Sequence, residues 1–311
     1  MPTPLAVPVS GAPTAAPVPG HLVRKHFADQ VLITDWHLVS GTTHSVTAHW
    51  PQQHSFYTPH PGRYSPLLLI ETVRQALALL SNTAYEVPLE YRLGWDYCSS
   101  TLTPAMLDIR PGDGGADIEL TITHAVPTPH RKGGSVRLEA QITAVREGQL
   151  LGAMHLRYTG HPPAIYDRLR GGHADARKAT SLAPSPGMPV PPGHVGRTRE
   201  KDVVLCPTDN PRRWQLRVDT EHSVLFDHAH DHLPGMVLLE AAGQAVQCLA
   251  GPEPTTPVTL RTHFSRYTEL DAPCWIEAAP LEWPQPDLAR TDITGTQNGQ
   301  VTFTTHVVTR N

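Results

Sequence analysis

The sequence predicts an α+β fold built twice, each copy an antiparallel sheet wrapped around one long central helix. Three observations lead there. The chain repeats itself, each repeat holds one helical stretch that is apolar nearly all round, and alternating β-like runs surround that stretch.

The repeat shows in four ordered matches at three offsets. His21-Leu-Val-Arg24 aligns with His194-Val-Gly-Arg197, and Asp29-Gln-Val-Leu32 with Asp202-Val-Val-Leu205, both at an offset of 173 (194 − 21, 202 − 29). Leu68-Leu-Ile-Glu71-Thr-Val-Arg-Gln75 aligns with Val237-Leu-Leu-Glu240-Ala-Ala-Gly-Gln244 at 169 (240 − 71), and Glu147-Gly-Gln-Leu150 with Asn298-Gly-Gln-Val301 at 151 (298 − 147). The offset only falls, as loop deletions in the second copy require.

Each copy opens with short β-like runs, Gln30 to Trp36 and His44 to Trp50 in the first. The helices follow, Ser65 to Ala84 and Pro234 to Ala250, with Pro66 and Pro234 where a first-turn proline is tolerated and Gly251 as a stop. Then come strands at Ala116 to Ala125, Ser135 to Glu147 and Gln149 to Thr159, and in the second copy at Val258 to Arg266, Cys274 to Pro280 and Gln300 to Thr309. Helices apolar on every face are buried, and one buried helix inside a run of antiparallel strands is the hotdog arrangement. The expected organisation is a disordered lead-in over 1–20, hotdog domain 1 over 21–162, a Pro/Gly-rich linker over 163–196 and hotdog domain 2 over 197–311, a tandem double hotdog fold.

Composition excludes partners. A formal charge of −4 gives no global attraction to nucleic acid or anionic membrane. The one basic cluster, His130-Arg131-Lys132, reads as a hairpin tip. Cys98, Cys206, Cys248 and Cys274 are too far apart for a zinc pair or short disulfide framework, and read as reduced thiols of a cytoplasmic protein. No apolar run reaches the roughly 20 residues that span a bilayer, and the N-terminal stretch lacks the basic start of a signal peptide.

Glu71 and Glu240 interrupt the apolar helices at matching positions. A carboxylate in a dry core must be paired, hydrogen-bonded or protonated, so an upward pKa shift and acid/base work are expected. Anchoring a neighbouring loop is the other reading of each. Ahead of the second helix lies His222-Ser-Val-Leu-Phe-Asp227-His228-Ala-His230-Asp231-His232-Leu-Pro-Gly235. Its histidines fall one residue short of a His-x-His-x-Asp-His metal motif, and no second ligand set follows, so neither metal nor cofactor is expected. The counterpart in the first copy is His54-Ser-Phe-Tyr57 followed by His60.

Asp231-His-Leu-Pro-Gly-Met-Val-Leu-Leu-Glu240-Ala241 resembles the signature of 3-hydroxyacyl-carrier-protein dehydratases, which are hotdog enzymes. With Val23-Arg24-Lys25, Val31-Leu-Ile-Thr-Asp-Trp36, the His54–Tyr57 block and Pro66-Leu-Leu-Leu-Ile-Glu71-Thr-Val-Arg74-Gln75, the whole is closer to the A-factor biosynthesis (AfsA-type) hotdog family. That resemblance implies an acyltransferase joining a 3-oxoacyl group from an acyl-carrier-protein thioester to the hydroxyl of dihydroxyacetone phosphate, for a butyrolactone-, butenolide- or furan-type signal. It makes Glu240, Glu71 and His228 the expected catalytic groups, with Glu240 serving the main site. Arg74, Gln75, His54, His232, Gly235, Met236 and Gln244 are the expected substrate-binding residues, Arg74 for phosphate. Gly235 and Met236 begin a helix whose N-terminal N–H groups suit an oxyanion, and Glu240 lies about 7.5 Å further along its axis. Gly243 departs from the pattern, since an arginine is expected there, which weakens any phosphate site in the second copy. A hotdog dehydratase or thioesterase, or an acyl-binding module without chemistry, is the alternative. The site falls between the two copies, within one chain or in a homodimer.

Overall fold

The computed structural model describes residues 18–310 apart from 61, 111, 113, 126–132, 283, 284 and 286. The lead-in to residue 17 and the His130–Lys132 cluster lie outside the described residues. Twelve strands form one antiparallel sheet in the order β1-β2-β4-β5-β6-β3-β9-β12-β11-β10-β8-β7. The first six are β1 (Ile33–Ser40), β2 (Thr43–Pro51), β3 (Arg92–Leu102), β4 (Gly115–His124), β5 (Val136–Arg146) and β6 (Gln149–His161). The second six are β7 (Leu205–Cys206), β8 (Arg213–Leu216), β9 (Thr256–Phe264), β10 (Cys274–Leu281), β11 (Leu288–Gln297) and β12 (Gln300–Arg310).

Two long helices, α1 (Leu67–Thr83) and α4 (Gly235–Ala250), touch one another, and the apolar faces of the sheet share one core cluster with both. Strand β5 shows the logic, since Val136, Leu138, Ala140, Ile142 and Ala144 point to the core while the intervening side chains face solvent. The helices start where the prolines place them, with Pro66 and Pro234 as N-caps, and Gly251 ends α4 at φ 86°. The β5–β6 and β11–β12 hairpins turn on Glu147-Gly148 and Asn298-Gly299, with φ near 53° and 73° in the first and 52° and 72° in the second. That is the two-residue turn whose twist suits a hairpin.

The strands β3 and β11 were not legible as strands, and β3 is the seam. It pairs with β6 on one side and β9 on the other, with Tyr97 opposite His263 and Thr101 opposite Thr259. Its sequence, Arg-Leu-Gly-Trp-Asp-Tyr-Cys-Ser-Ser-Thr-Leu, lacks clean alternation because only its later part points into the core. The expected linker is not featureless. It carries α2 (Pro163–Arg170) and α3 (Ala176–Leu182), and Tyr166 and Arg170 of α2 are buried against the second half.

The hydrogen bonds shift the repeat register by one residue near each N-terminus. Lys25 N donates to Gly20 O and Arg197 N to Pro192 O, while Leu32 N and Val204 N donate to Gln75 and Gln244. The structural offset is therefore 172 (197 − 25, 204 − 32). Lys25, not Arg24, is the counterpart of Arg197, and Arg24 corresponds to Gly196.

Candidate active site

A cavity of about 550 Å³ runs between the halves, lined from the first by Lys25, Glu71 and Arg74 and from the second by the His228–His232 loop and the start of α4. Helix α1 carries Glu71 inward at 2 % exposure. Arg74, one turn on, grips it through Nε and Nη2 at 2.7 and 2.8 Å, Gln75 donates at 2.8 Å and the Lys25 ammonium lies at 3.1 Å. Burial pushes the Glu71 carboxyl up, but the charges of Arg74 and Lys25 and these hydrogen bonds outweigh it and hold the group below the usual carboxylate range. The expected upward shift is thus overturned. Glu71 is an anchored anion, and a poor proton acceptor near neutral pH.

The proton-handling geometry belongs to the loop ahead of α4. Asp227 Oδ1 bonds His228 Nδ1 at 2.7 Å, and Asp231 Oδ1 bonds His232 Nδ1 at 2.8 Å. Burial raises the Asp227 carboxyl, yet His228, Lys25 and the His26 amide bring it down to about 2. Asp231 is likewise held low against its burial, by His232, Tyr166 and Arg170. Ionised carboxylates only accept, so each pair fixes a hydrogen on Nδ1 and leaves Nε2 as the outer nitrogen of the ring. The His228 side chain is 48 % exposed and lines the cavity. Between the dyads, burial lowers His230 to about 3, helped by the charges of His228 and His232, so it is neutral. Asp227 also lies 3.8 Å from Lys25, which links His228 to Glu71 through one chain of charges.

Helix α2 buttresses the second dyad. Tyr166 donates to Asp231 at 2.7 Å, and Arg170 bonds Asp231 at 3.0 Å while forking onto Glu269 at 2.7 and 2.6 Å. Gly235 and Met236 open α4 at the cavity wall, where the first N–H groups of a helix have no partner within it. Trp95, Phe264 and Leu238 supply apolar lining beside them. Among the described residues, Asp227, His228 and His230 alone bring three ligand atoms within 4.8 Å of one another, the one place where a metal ion finds close donors.

Glu240 is placed differently from its expected role. It is 4 % exposed and does not line the cavity. Arg197 clamps it at 2.8 and 2.6 Å, donates to Phe56 O at 2.6 Å, and stacks over the Phe56 ring 4.1 Å from its centroid. Phe56, on which Arg197 stacks, and Tyr57 beside it are both buried.

Of the expected site residues, Glu71, Arg74, His228, His232, Gly235 and Met236 meet at the cavity, whereas Glu240, Gln75, Gln244 and His54 do not. Gln75 and Gln244 do the same structural work. Each accepts from the amide of Leu32 or Val204 and donates to the carbonyl of Gln30 or Asp202 and to its own helix glutamate. His54 accepts from the amides of Phe56 and Tyr57 through Nδ1, as His222 does from Val224 and Leu225, and burial lowers His54 to about 4. It is a neutral turn-former. Lys25, Arg24, Arg92, Asp227, Asp231, Tyr166 and Arg197 were not singled out. Aspartates directly preceding His228 and His232 were the available signal, whereas Tyr166 and Arg197 act over distances in sequence that no local pattern reveals.

A sequence model of the A-factor biosynthesis hotdog domain matches residues 8–161 and again 179–310. Relatives named 2-oxo-3-(phosphooxy)propyl 3-oxoalkanoate synthase include one from Streptomyces virginiae, 39% identical over 94% of this chain and 97% of its own. Another from Streptomyces coelicolor is 38% identical over 94% of this chain and 91% of its own. Among solved structures, a 12:0-ACP thioesterase from Umbellularia californica aligns with TM-score 0.52 at 8% identity, over 88% of this chain and 99% of that one. An acyl-ACP thioesterase from Bacteroides thetaiotaomicron gives 0.50 at 9%, over 86% and 98%. These two share the fold alone. The doubly matched domain and the relatives that align along almost the whole chain place this protein in the A-factor biosynthesis hotdog family.

Proposed function

We propose that the chain is an acyltransferase that joins a 3-oxoacyl group to a hydroxyl of dihydroxyacetone phosphate, the linkage in its relatives' name. The observation that carries this reading is the single cavity with an Asp–His dyad on one wall and an anchored Glu–Arg–Lys cluster on the other. In our reading the fold is two hotdog units in tandem, over 21–162 and 197–311, each with one central helix, joined by residues 163–196, and one chain forms the whole site. The acyl donor is an acyl-carrier-protein thioester, and the reaction belongs to the cytoplasm, where such donors and triose phosphates are made.

The thioester carbonyl lies against the Gly235 and Met236 amides, and its chain against Trp95, Phe264 and Leu238. His228 Nε2 removes the proton of the acceptor hydroxyl as its oxygen bonds the carbonyl carbon. The helix start stabilises the oxyanion. Collapse breaks the C–S bond, and the thiolate takes the proton back from His228. Asp227 holds the ring in the required tautomer, and the Glu71–Lys25 pair holds Asp227.

Incubating the protein with a 3-oxoacyl thioester, with and without dihydroxyacetone phosphate, tests this. Thiol release that requires the triose phosphate, with an ester product, is expected. Release to water alone makes the protein a thioesterase, and loss of water without thiol release makes it a dehydratase.

A further inference from the structure

Two of the three cavity-lining arginines of the first half, Arg24 and Arg74, have glycines as their counterparts in the second, Gly196 at an offset of 172 (196 − 24) and Gly243 at 169 (243 − 74). Arg24 is also held where glycine is at ease. Its φ is 58°, matching 66° at Gly196, and a side chain in that left-handed region costs about 1–2 kcal/mol. Such a cost in one copy and its avoidance in the other point to a task for the side chain.

The surroundings say which. Arg24 Nη2 donates to Tyr91 O at 3.0 Å, but its Nε is buried without a hydrogen-bond partner. Among the described residues no carboxylate pairs with it by contact, and Glu71 is held by Arg74 and Lys25. Arg74 uses only Nε and Nη2 on Glu71 among the described residues, and Arg92, exposed at the start of β3, makes no ion pair among them. All three guanidinium groups line the cavity. Burial and the charges of Arg92 and Arg74 together weaken the hold of Arg24 on its proton, with Glu90 opposing, which marks three like charges gathered in one place. Such a gathering is costly until an anion joins it, and guanidinium forks match the oxygens of a phosphate.

We infer that Arg24, assisted by Arg74 and Arg92, seats the phosphate of the acceptor at the cavity wall opposite the Gly235–Met236 helix start. The assignment rests on the triose phosphate reading above. The Nε–H of Arg24, which lacks a partner, is the donor left for a phosphate oxygen. The carbon skeleton then extends from Arg24 towards His228, with the hydroxyl foremost. Arg24 thereby sets specificity for a phosphorylated acceptor and takes no part in proton transfer.

The test compares dihydroxyacetone phosphate with unphosphorylated dihydroxyacetone as acceptors for wild type, Arg24→Gln, Arg24→Lys and Arg92→Gln, each checked by thermal melting. Arg24→Gln is expected to lose at least tenfold of the wild-type preference in kcat/KM for the phosphorylated acceptor, with Arg24→Lys recovering part of it and Arg92→Gln losing less. An unchanged preference in Arg24→Gln, or an equal fall with both acceptors, overturns the assignment. Titration calorimetry with inorganic phosphate separates this from failure of the transferase reading. If wild type transfers no acyl group yet binds phosphate at least tenfold more tightly than Arg24→Gln, the seat stands and the reaction assignment falls. Equal phosphate affinity in the two proteins overturns the seat, whatever the activity.

Discussion

The two halves place a glutamate at the same step of the same helix and then treat it in opposite ways. Around Glu71 the counter-charges come from Lys25 and from Arg74 one turn on, and a cavity remains beside them. Around Glu240 one arginine, Arg197, fills both roles, and its remaining edge is tied to Phe56 O. Arg197 and Lys25 are structural counterparts, and Arg74 corresponds to Gly243, so two exchanges separate a held anion from a bolted one. The Arg197 fork satisfies both carboxylate oxygens, as Arg74 does at Glu71, and in addition stacks on the Phe56 ring. The loops differ in step with this. Where the second half supplies Asp227-His228, the first supplies Pro59-His60, without a carboxylate to fix the ring.

The difference can be broken most sharply at those histidines. His228→Asn is expected to lower acyl transfer by about 10²–10⁴-fold, the usual worth of a positioned general base. His60→Asn, in the closed half, is expected to stay within about twofold of wild type on the same steady-state assay, judged against that scale. Comparable losses would make both halves active. A smaller effect is expected from Arg197→Met, which strands the buried Glu240 carboxylate and should cost about 3–5 kcal/mol in urea unfolding. Adding Glu240→Leu should restore much of that, since a buried pair replaced on both sides by apolar groups is often neutral. If the single variant unfolds at the wild-type midpoint, the bolt is not what closes this half. The smallest effect is at Gly243, where an added Cβ meets nothing within 4 Å. Gly243→Ala should stabilise α4 by about 0.5–1 kcal/mol, visible as a small rise in melting temperature. A fall there would mean that the closed half needs the glycine.

Much of this architecture was legible beforehand because it rests on local pattern. Full-face apolarity exposed α1 and α4, and alternation exposed β4, β5, β6 and β12. Strand β3 escaped because a seam strand in mid-sheet is only partly core-facing. The glutamates were visible as charges in apolar helices, but their partners Lys25 and Arg197 lie 46 (71 − 25) and 43 (240 − 197) residues away, so the sign of the Glu71 shift could not be read from its helix alone. The acidic members of the Asp–His dyads were in plain view, next to their histidines, and only the structure brought them to the cavity wall.

The β3–β9 seam carries a consequence for how such a chain can change. Two identical subunits meeting across a dyad would suffer every substitution twice, so neither of their paired clefts could be altered alone. Covalent fusion lifts that constraint. In the proposed reading one cleft is then free to close, with Arg197 and Phe56 as its fill, while the other keeps the proposed chemistry. A tight-binding inhibitor should therefore titrate one equivalent per chain.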